Sequence, residues 1–225
     1  MPGAAWRLSS ERGEYADLPF LAVSLPEEAR HERRGGDMVE KMFMKEAVRL
    51  AMESVVNGWG GPFGAVITRD DEIIARGQNR VLLTGDPTAH GEVEAIRKAI
   101  QVLNPRAPSI AVEHRNKSTL RLIRRDPGSQ DPEPKRARML KGCEIYTSGQ
   151  PCPMCMSAIY WSRFDAVYFS RDLKATEAIG FSDEFQYEDF KKPIHERSIH
   201  MEHRYPELGK PAYEAWKTRP EKHPY

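Results

Sequence analysis

The sequence predicts an α/β domain with three layers, α/β/α, in which helices pack on a mixed sheet. Two features of the chain support this fold. A helical repeat precedes two short strands that can form a hairpin, and later segments alternate between helix and strand patterns. The chain has 225 residues, of which 40% are hydrophobic and 30% are charged. That is long enough for one domain with a full core.

The elements follow one another along the chain as this fold requires. Between residues 38 and 56, apolar residues recur at intervals of three and four, which is typical of an amphipathic helix, and the glycines of NGWGGPFG then end it. GAVITRDDEIIARGQN predicts two strands around a turn at residues 69–71. After these come a helix in HGEVEAIRKAIQVL, a buried strand in CEIYTS, a helix in CPMCMSAIYWS and a strand in DAVYFS.

Three regions lie outside this pattern. Residues 1–36 show no clear period, and we expect a loosely ordered N-terminal extension before a domain over residues 37–225. From about 105 to 141 the chain holds ten Lys/Arg against four Asp/Glu, which predicts an inserted surface loop, either solvated or serving as a basic arm for RNA. From about 183 to 225 it is too aromatic for a simple disordered tail, so we expect this C-terminal segment to pack on something.

The net charge, the length of the apolar runs and the cysteine count limit where the protein can be located and what it can bind. A formal net charge of +1 selects neither nucleic acid nor an anionic membrane surface. No apolar run approaches the roughly 18 residues of a membrane-spanning helix, and the N-terminus lacks the basic start and apolar stretch of a secretory signal. Three cysteines do not suggest a disulfide framework. We therefore expect a cytoplasmic protein.

Two short motifs place metal-binding side chains at the starts of two predicted helices. Cys152 and Cys155 stand three residues apart in PCPMC, so both sulfurs share a helix face and can reach one ion. His90 opens its own helix and can supply a third ligand. Three protein ligands with an open fourth position are typical of a catalytic zinc site. Because two thiolates leave such a zinc nearly neutral and a weak Lewis acid, a carboxylate is needed to move protons, and Glu92 is placed to do so.

Each motif alone has other interpretations. A single H-x-E is common at the start of an ordinary helix, and a single C-x-x-C occurs in redox sites, in structural zinc sites and by chance. Together and in this order, they match the H-x-E…P-C-x-x-C signature of zinc deaminases. A closed structural site with Cys143 as fourth ligand is the remaining alternative. Cys143 falls in a predicted core strand, however, where a buried thiol is the commoner role.

The chain resembles the cytidine and nucleobase deaminase superfamily, and within it the small bacterial guanine deaminases. The resemblance covers roughly residues 40–104 and 142–225, in the stretches GGPFGAVI, GQN, DPTAH-GEV-AIRKA, YTS, PCPMC, AIYW, IGFSDEF and KPIHERSI. It implies a cytidine deaminase-like fold with a mixed five-stranded sheet and one Zn²⁺ per chain held by His90, Cys152 and Cys155. The implied reaction is hydrolysis of guanine to xanthine and ammonia, in which zinc-bound hydroxide attacks and Glu92 shuttles protons.

The same resemblance implies a pocket for a flat purine base and a homodimer that exchanges C-terminal segments. Asn79 would hydrogen-bond the base, Phe63 and Trp161 would line the pocket, Asp183 would read the purine edge and Tyr225 would close the site. The local sequence leaves simpler roles open. Phe63 and Trp161 fit core packing equally well, and Asn79 could cap backbone groups at a turn.

The chain departs from the family pattern beside the zinc ligands. Gly91 stands where alanine is usual between His90 and Glu92, which loosens the helix start by about 0.5–1 kcal/mol. Gln150 replaces the usual glutamate before PCPMC, and Gly149 stands where a cysteine is common. The substrate therefore stays open, with guanosine, cytosine and adenosine in tRNA as alternatives. A zinc-stabilised binding module without catalysis is another.

Overall fold

The computed structural model describes residues 37–103 and 139–220 of the chain. The predictions made for residues 1–36, for the insert as far as residue 138 and for Tyr225 lie outside these described residues. The elements, in chain order, are α1 Asp37–Val56, β1 Gly64–Arg69, β2 Glu72–Gln78, α2 Val81–Thr84, α3 Gly91–Leu103, β3 Cys143–Gly149, α4 Pro153–Ser162, β4 Ala166–Arg171, α5 Leu173–Glu177, α6 Asp183–Lys191, a 3₁₀ turn Ile194–Glu196 and α7 Pro206–Thr218. The helices and strands predicted between residues 38 and 171 thus form where the sequence places them.

One mixed sheet carries the fold. Its strand order is β2-β1-β3-β4, with β1 antiparallel to both of its neighbours and β3 parallel to β4. The β1–β2 hairpin turns at Asp70 and Asp71, whose φ values of 50° and 62° fit the type I′ turns that tight hairpins prefer.

The sheet has four strands among the described residues, where five were expected. Beyond β4 the chain turns into a helix instead of returning to the sheet edge. The Asp172 side chain accepts a hydrogen bond from the Ala175 backbone N–H at 2.9 Å, and this N-cap starts α5 directly after the strand.

Helices cover both faces of the sheet, as predicted for three layers. On one face, α1 packs through the cluster Val39, Phe43, Ala47, Leu50, Val66 and Tyr146. On the other face, α3 and α4 pack through a larger cluster that includes Ala65, Ile67, Ala95, Ala99, Cys143, Ile145 and Ile159. The small alanines on α3 let this helix lie close to the strands, and that closeness positions its first turn.

The C-terminal segment is packed differently. Within the described residues, no side chain beyond Asp189 is buried, and every residue from 198 to 220 is exposed. Helix α7 exposes large apolar side chains, namely Leu208, Tyr213 and Trp216. From residue 198 onward, the packing expected for this segment is therefore not supplied by the described residues of the chain. No helix in the described part of the chain has the length and apolar character needed to cross a membrane.

Candidate metal centre and active site

Three side chains converge at the starts of α3 and α4. The His90 Nδ1 atom lies 3.6 Å from Cys152 Sγ and 3.5 Å from Cys155 Sγ. One ring nitrogen carries at most one proton, so it cannot donate to both sulfurs at once. Zinc–nitrogen bonds of ~2.0–2.1 Å and zinc–sulfur bonds of ~2.3 Å at tetrahedral angles would put these atoms about 3.6 Å apart. The three donors therefore fit a shared zinc ion.

Local backbone structure brings these ligands together. Cys152 is the N-cap of α4, with an extended backbone and Pro153 as the first helical residue, and its carbonyl accepts the Met156 N–H at 2.8 Å. His90 immediately precedes α3, and its carbonyl accepts the Glu94 N–H at 2.9 Å. Both helices thus direct their positive ends toward the site, where they stabilise the negative charge of thiolates.

The two thiols differ in their titration. The hydrogen bond from the Cys155 thiol lowers the pKa of Cys152 to about 4, with His90 acting in the same direction. The same hydrogen bond, reinforced by burial, raises the pKa of Cys155. The hydrogen bond to Cys152 also raises the pKa of His90. The lowered pKa of Cys152 favours its thiolate form, which is the form that binds a metal ion.

Glu92 lies beside this group on the first turn of α3. It is only 6% exposed. Burial raises the pKa of its carboxyl group, because desolvation penalises the charged form. A raised pKa makes the carboxyl group a better proton acceptor, and a general acid–base group must both accept and return a proton.

A cavity of about 210 Å³ opens beside the ligands. It brings together six of the predicted site residues, namely Phe63, Asn79, His90, Glu92, Cys152 and Asp183. Its other lining residues are Gly60, Gly61, Val81, Leu82, Pro87, Gln150 and Phe181. A larger and more open groove of about 420 Å³ lies between α1 and β4, but it holds none of the predicted site residues.

Asn79 has a structural role and a position in the cavity at the same time. Its side-chain oxygen accepts the Val81 N–H at 3.1 Å, and its own backbone N–H donates to the Phe63 carbonyl at 2.8 Å. A Cβ atom at Gly60 would lie only 1.9 Å from this side-chain oxygen, so the loop can pass here only as glycine. Asn79 therefore accepts a backbone N–H in the turn before α2, and it also lines the cavity.

An aromatic pair forms one wall of the cavity. The rings of Phe63 and Phe181 meet edge to face, with centroids 4.9 Å apart. A Cβ atom at Gly61 would lie 2.8 Å from both rings, so the glycine leaves room for the pair. Phe181 and Gln150 line the cavity but were not predicted as site residues. The signal for Phe181 was its position in IGFSDEF, two residues before Asp183.

The remaining predicted residues are placed as follows. Trp161 is 61% exposed on α4 and does not line the cavity within this chain. Asp183 does line it, and burial, followed by the charge of Cys152, raises the pKa of its carboxyl group. Cys143 is fully buried in β3 and stands outside the metal-binding group, so the closed site considered from the sequence is not formed. The Tyr187 hydroxyl donates to the Pro151 carbonyl at 2.8 Å and ties α6 to the ligand loop.

Comparisons with known proteins match this geometry. Residues 38–171 match the family model described as the cytidine and deoxycytidylate deaminase zinc-binding region. A guanine deaminase from Bacillus subtilis (strain 168) is 42% identical over 162 residues, which cover 72% of this chain and 83% of the relative. The X-ray structure of guanine deaminase from Bacillus subtilis is similar with a TM-score of 0.65 and 38% identity, over 82% of this chain and 98% of that one.

The chain is also similar to enzymes that are named as tRNA-specific adenosine deaminases. A tRNA-specific adenosine deaminase from Aquifex aeolicus (strain VF5) is 32% identical over 133 residues. The match covers 59% of this chain and 66% of the relative.

Proposed function

Because the chain belongs to the cytidine and deoxycytidylate deaminase family and contains its zinc-binding region, we propose that it hydrolyses guanine to xanthine and ammonia. The observation that carries this proposal is the combination of a His/Cys/Cys metal group and a buried carboxylate beside a cavity with an aromatic wall. The 42% identity to a guanine deaminase supports the choice of substrate.

The metal ligands and Glu92 have separate roles in the proposed reaction. His90, Cys152 and Cys155 would hold a zinc ion, which would supply the Lewis acidity that makes water a nucleophile near neutral pH. Glu92 takes a proton from the attacking water and delivers protons to the ring nitrogen and then to the leaving amine. A C–O bond forms at C2 of the base, the C–N bond to the exocyclic amine breaks, and the water is consumed.

The cavity walls would hold the base in place. The flat ring would contact the Phe63 and Phe181 wall, where apolar contact and the ring faces favour an aromatic ligand. Guanine presents N–H donors along its edge, and the Asp183 carboxyl oxygens can accept them. Asn79 adds a fixed polar group, held in place by its bond to Val81. Orientation by these groups would direct C2 toward Glu92 and the metal ligands.

A substrate panel tests the proposal. Ammonia release is measured with guanine, guanosine, cytosine, cytidine, adenine and a tRNA anticodon stem-loop that contains adenosine. We expect release from guanine to exceed release from every other compound. If a protein with one zinc per chain releases no ammonia from guanine, the substrate assignment is wrong, and release from the stem-loop would instead place it with the tRNA-acting relatives.

Glu92→Gln separates catalysis from metal binding. We expect turnover to fall by on the order of 10²–10⁴-fold, because the amide cannot transfer protons, while zinc content stays at one per chain. Glu94→Gln is the matched control, since Glu94 lies on the same helix and pairs with Arg97 at 2.9 Å away from the metal group. A wild-type protein that binds zinc but shows no turnover on the panel would favour the non-catalytic binding module.

We also propose a homodimer in which the C-terminal segment of each chain packs on the other subunit. The proposal is supported by the exposure of Leu208, Tyr213 and Trp216 on α7. A helix of 13 residues gains little stability without tertiary contacts, so this apolar face needs a surface to cover it. Light scattering after size exclusion should give twice the mass of the chain, and a monomeric mass would contradict the proposal.

Two further proposals concern location and domain organisation. A cytoplasmic location is supported by Cys143, Cys152 and Cys155, which are all unpaired. Cell fractionation tests it.

We propose that residues 1–36 lie outside the catalytic domain, because the family match begins at residue 38 and the described site residues all follow it. Deletion of residues 1–36 should leave guanine turnover unchanged.

A further inference from the structure

We propose that Gly91 is a positioning residue that sets the distance between the helix carrying Glu92 and the Phe63 wall of the cavity, and with it the affinity for the base. The inference rests on the proposed function for the identity of the base. Its structural argument uses only contacts within the chain.

Gly91 lies in direct backbone contact with the start of β1. A Cβ atom added at Gly91 would lie 3.0 Å from the Phe63 carbonyl oxygen and 3.3 Å from the Gly64 Cα. Both neighbours are backbone atoms, so no side-chain rotation can relieve the contact. The absence of a side chain at position 91 therefore allows the first turn of α3 and the cavity wall to approach this closely.

The start of β1 cannot move away to make room. On its other side, a Cβ atom at Gly64 would lie 2.3 Å from the Ala47 carbonyl oxygen and 2.6 Å from the Ala51 nitrogen. These are backbone atoms of α1, which is fixed by the core on that face. The β1 start is thus held between two helices without intervening side chains, and α3 must give way if Gly91 gains a methyl group.

The first turn of α3 also rests on β2. A Cβ atom at Gly77 would lie 2.1 Å from the Gly91 carbonyl oxygen and 2.5 Å from the Ala95 nitrogen. No atom separates the helix from the sheet at this point. A methyl group at position 91 would therefore lift or rotate the helix start by a few tenths of an ångström and carry Glu92 with it.

Such a shift would reach the binding groups. The Phe63 carbonyl that faces Gly91 also accepts the Asn79 backbone N–H at 2.8 Å. The Phe63 ring forms the aromatic pair with Phe181. A change at position 91 would thus alter the spacing between the proton-transferring carboxyl group and three residues that line the cavity.

The test compares Gly91→Ala with Gly209→Ala, a helical glycine whose Cβ atom would meet nothing within 4 Å. Alanine favours the helix at both positions, so a lower thermal midpoint in Gly91→Ala than in Gly209→Ala would come from the backbone contact with β1. For Gly91→Ala we expect the KM for guanine and the Kd for xanthine, measured by calorimetry, to rise on the order of 10-fold, with zinc kept at one per chain. For Gly209→Ala we expect both constants to stay at the wild-type value.

Each other outcome decides against the proposal. Unchanged KM and Kd in Gly91→Ala would show that the contact is absorbed without effect on the base. Loss of zinc or failure to fold would assign Gly91 to the structure of the metal site alone. Wild-type turnover of guanine is measured first, because its absence refutes the proposed function, whereas wild-type turnover with an unaffected Gly91→Ala protein refutes only the positioning role.

Discussion

The metal centre and the C-terminal segment, residues 183–220, differ in what holds their side chains. At the metal centre Cys155 is fully buried, and α3 meets the sheet backbone to backbone at Gly77 and Gly91. In the C-terminal segment Trp216 is 44% exposed. Within the described residues the metal-binding side chains are packed by their own chain, whereas the apolar face of α7 is uncovered. The difference predicts that zinc binding and the proposed dimer assembly can be separated by mutation.

The boundary between the two regions can be located. Tyr187 ties α6 to the ligand loop, and Asp189 accepts hydrogen bonds from the Ser198 N–H at 3.1 Å and from the Ser198 hydroxyl at 2.9 Å. Beyond Ser198 the described residues are all exposed. The first part of the segment is therefore attached to the site, and the part after Ser198 is the part assigned above to the proposed dimer contact.

Removing a zinc ligand should have the largest effect, and this effect should be confined to the metal centre. Cys155→Ala is expected to lose turnover and to weaken zinc binding by more than the ~10–100-fold cost of losing an outer-sphere partner. The zinc content and the thermal midpoint of Cys155→Ala measure the loss of zinc binding. The matched control is Cys143→Ala, an equally buried thiol, which should lose ~1–2 kcal/mol of stability and keep its zinc. Zinc retained in Cys155→Ala would contradict the three-ligand site.

Removing residues 199–225 should affect assembly and spare the metal. We expect the truncated chain to be monomeric in light scattering and to keep one zinc per chain, because none of the zinc ligands lies in the deleted part. Its thermal midpoint should no longer depend on protein concentration, whereas that of the full chain should. A truncated chain that remains dimeric would place the subunit contacts elsewhere and break the separation of the two regions.

The same division explains what the sequence could predict. The helices and ligands of the first region follow from short-range periodicity and from motifs that open helices, so His90, Glu92 and the two cysteines converge as expected. Trp161 illustrates a limit of this approach. It follows the buried Ile159 by two residues, which on a helix is the opposite side, so it points away from the core.

Long-range contacts account for the other differences. Phe181 reaches the cavity because the chain reverses at Gly180, whose φ of 96° favours glycine. No local sequence pattern predicts that the residue after this turn contacts Phe63. The fifth strand expected from the resemblance is missing among the described residues because Asp172 starts a helix. The described residues do not cover the C-terminal segment after Ser198, and periodicity within one sequence cannot specify which surface does.

The smallest expected effect lies at the boundary itself, in Asp189→Asn. The hydrogen bond from Lys192, opposed by desolvation and joined by the bonds from Ser198, holds the pKa of Asp189 below its usual value. A carboxyl group with a lowered folded-state pKa stabilises the fold above its unfolded pKa of about 3.9 and loses that contribution as the pH falls through the folded value. Between pH 5 and 7 the wild-type contact should therefore be constant.

Hydrogen exchange at the Ser198 amide measures this contact directly. In the wild-type protein, protection should be steady from pH 7 to 5, after correction for the intrinsic rate, and should fall below about pH 4 as the carboxylate is protonated. Asp189→Asn should show weak protection at every pH, while the thermal midpoint of the domain and its zinc content hardly change. Glu188→Gln, whose carboxylate pairs with Lys191 on the exposed side of α6, should behave like the wild type and so controls for acid effects on the metal. Equal protection in Asp189→Asn and the wild type would mean that Asp189 does not fix the boundary.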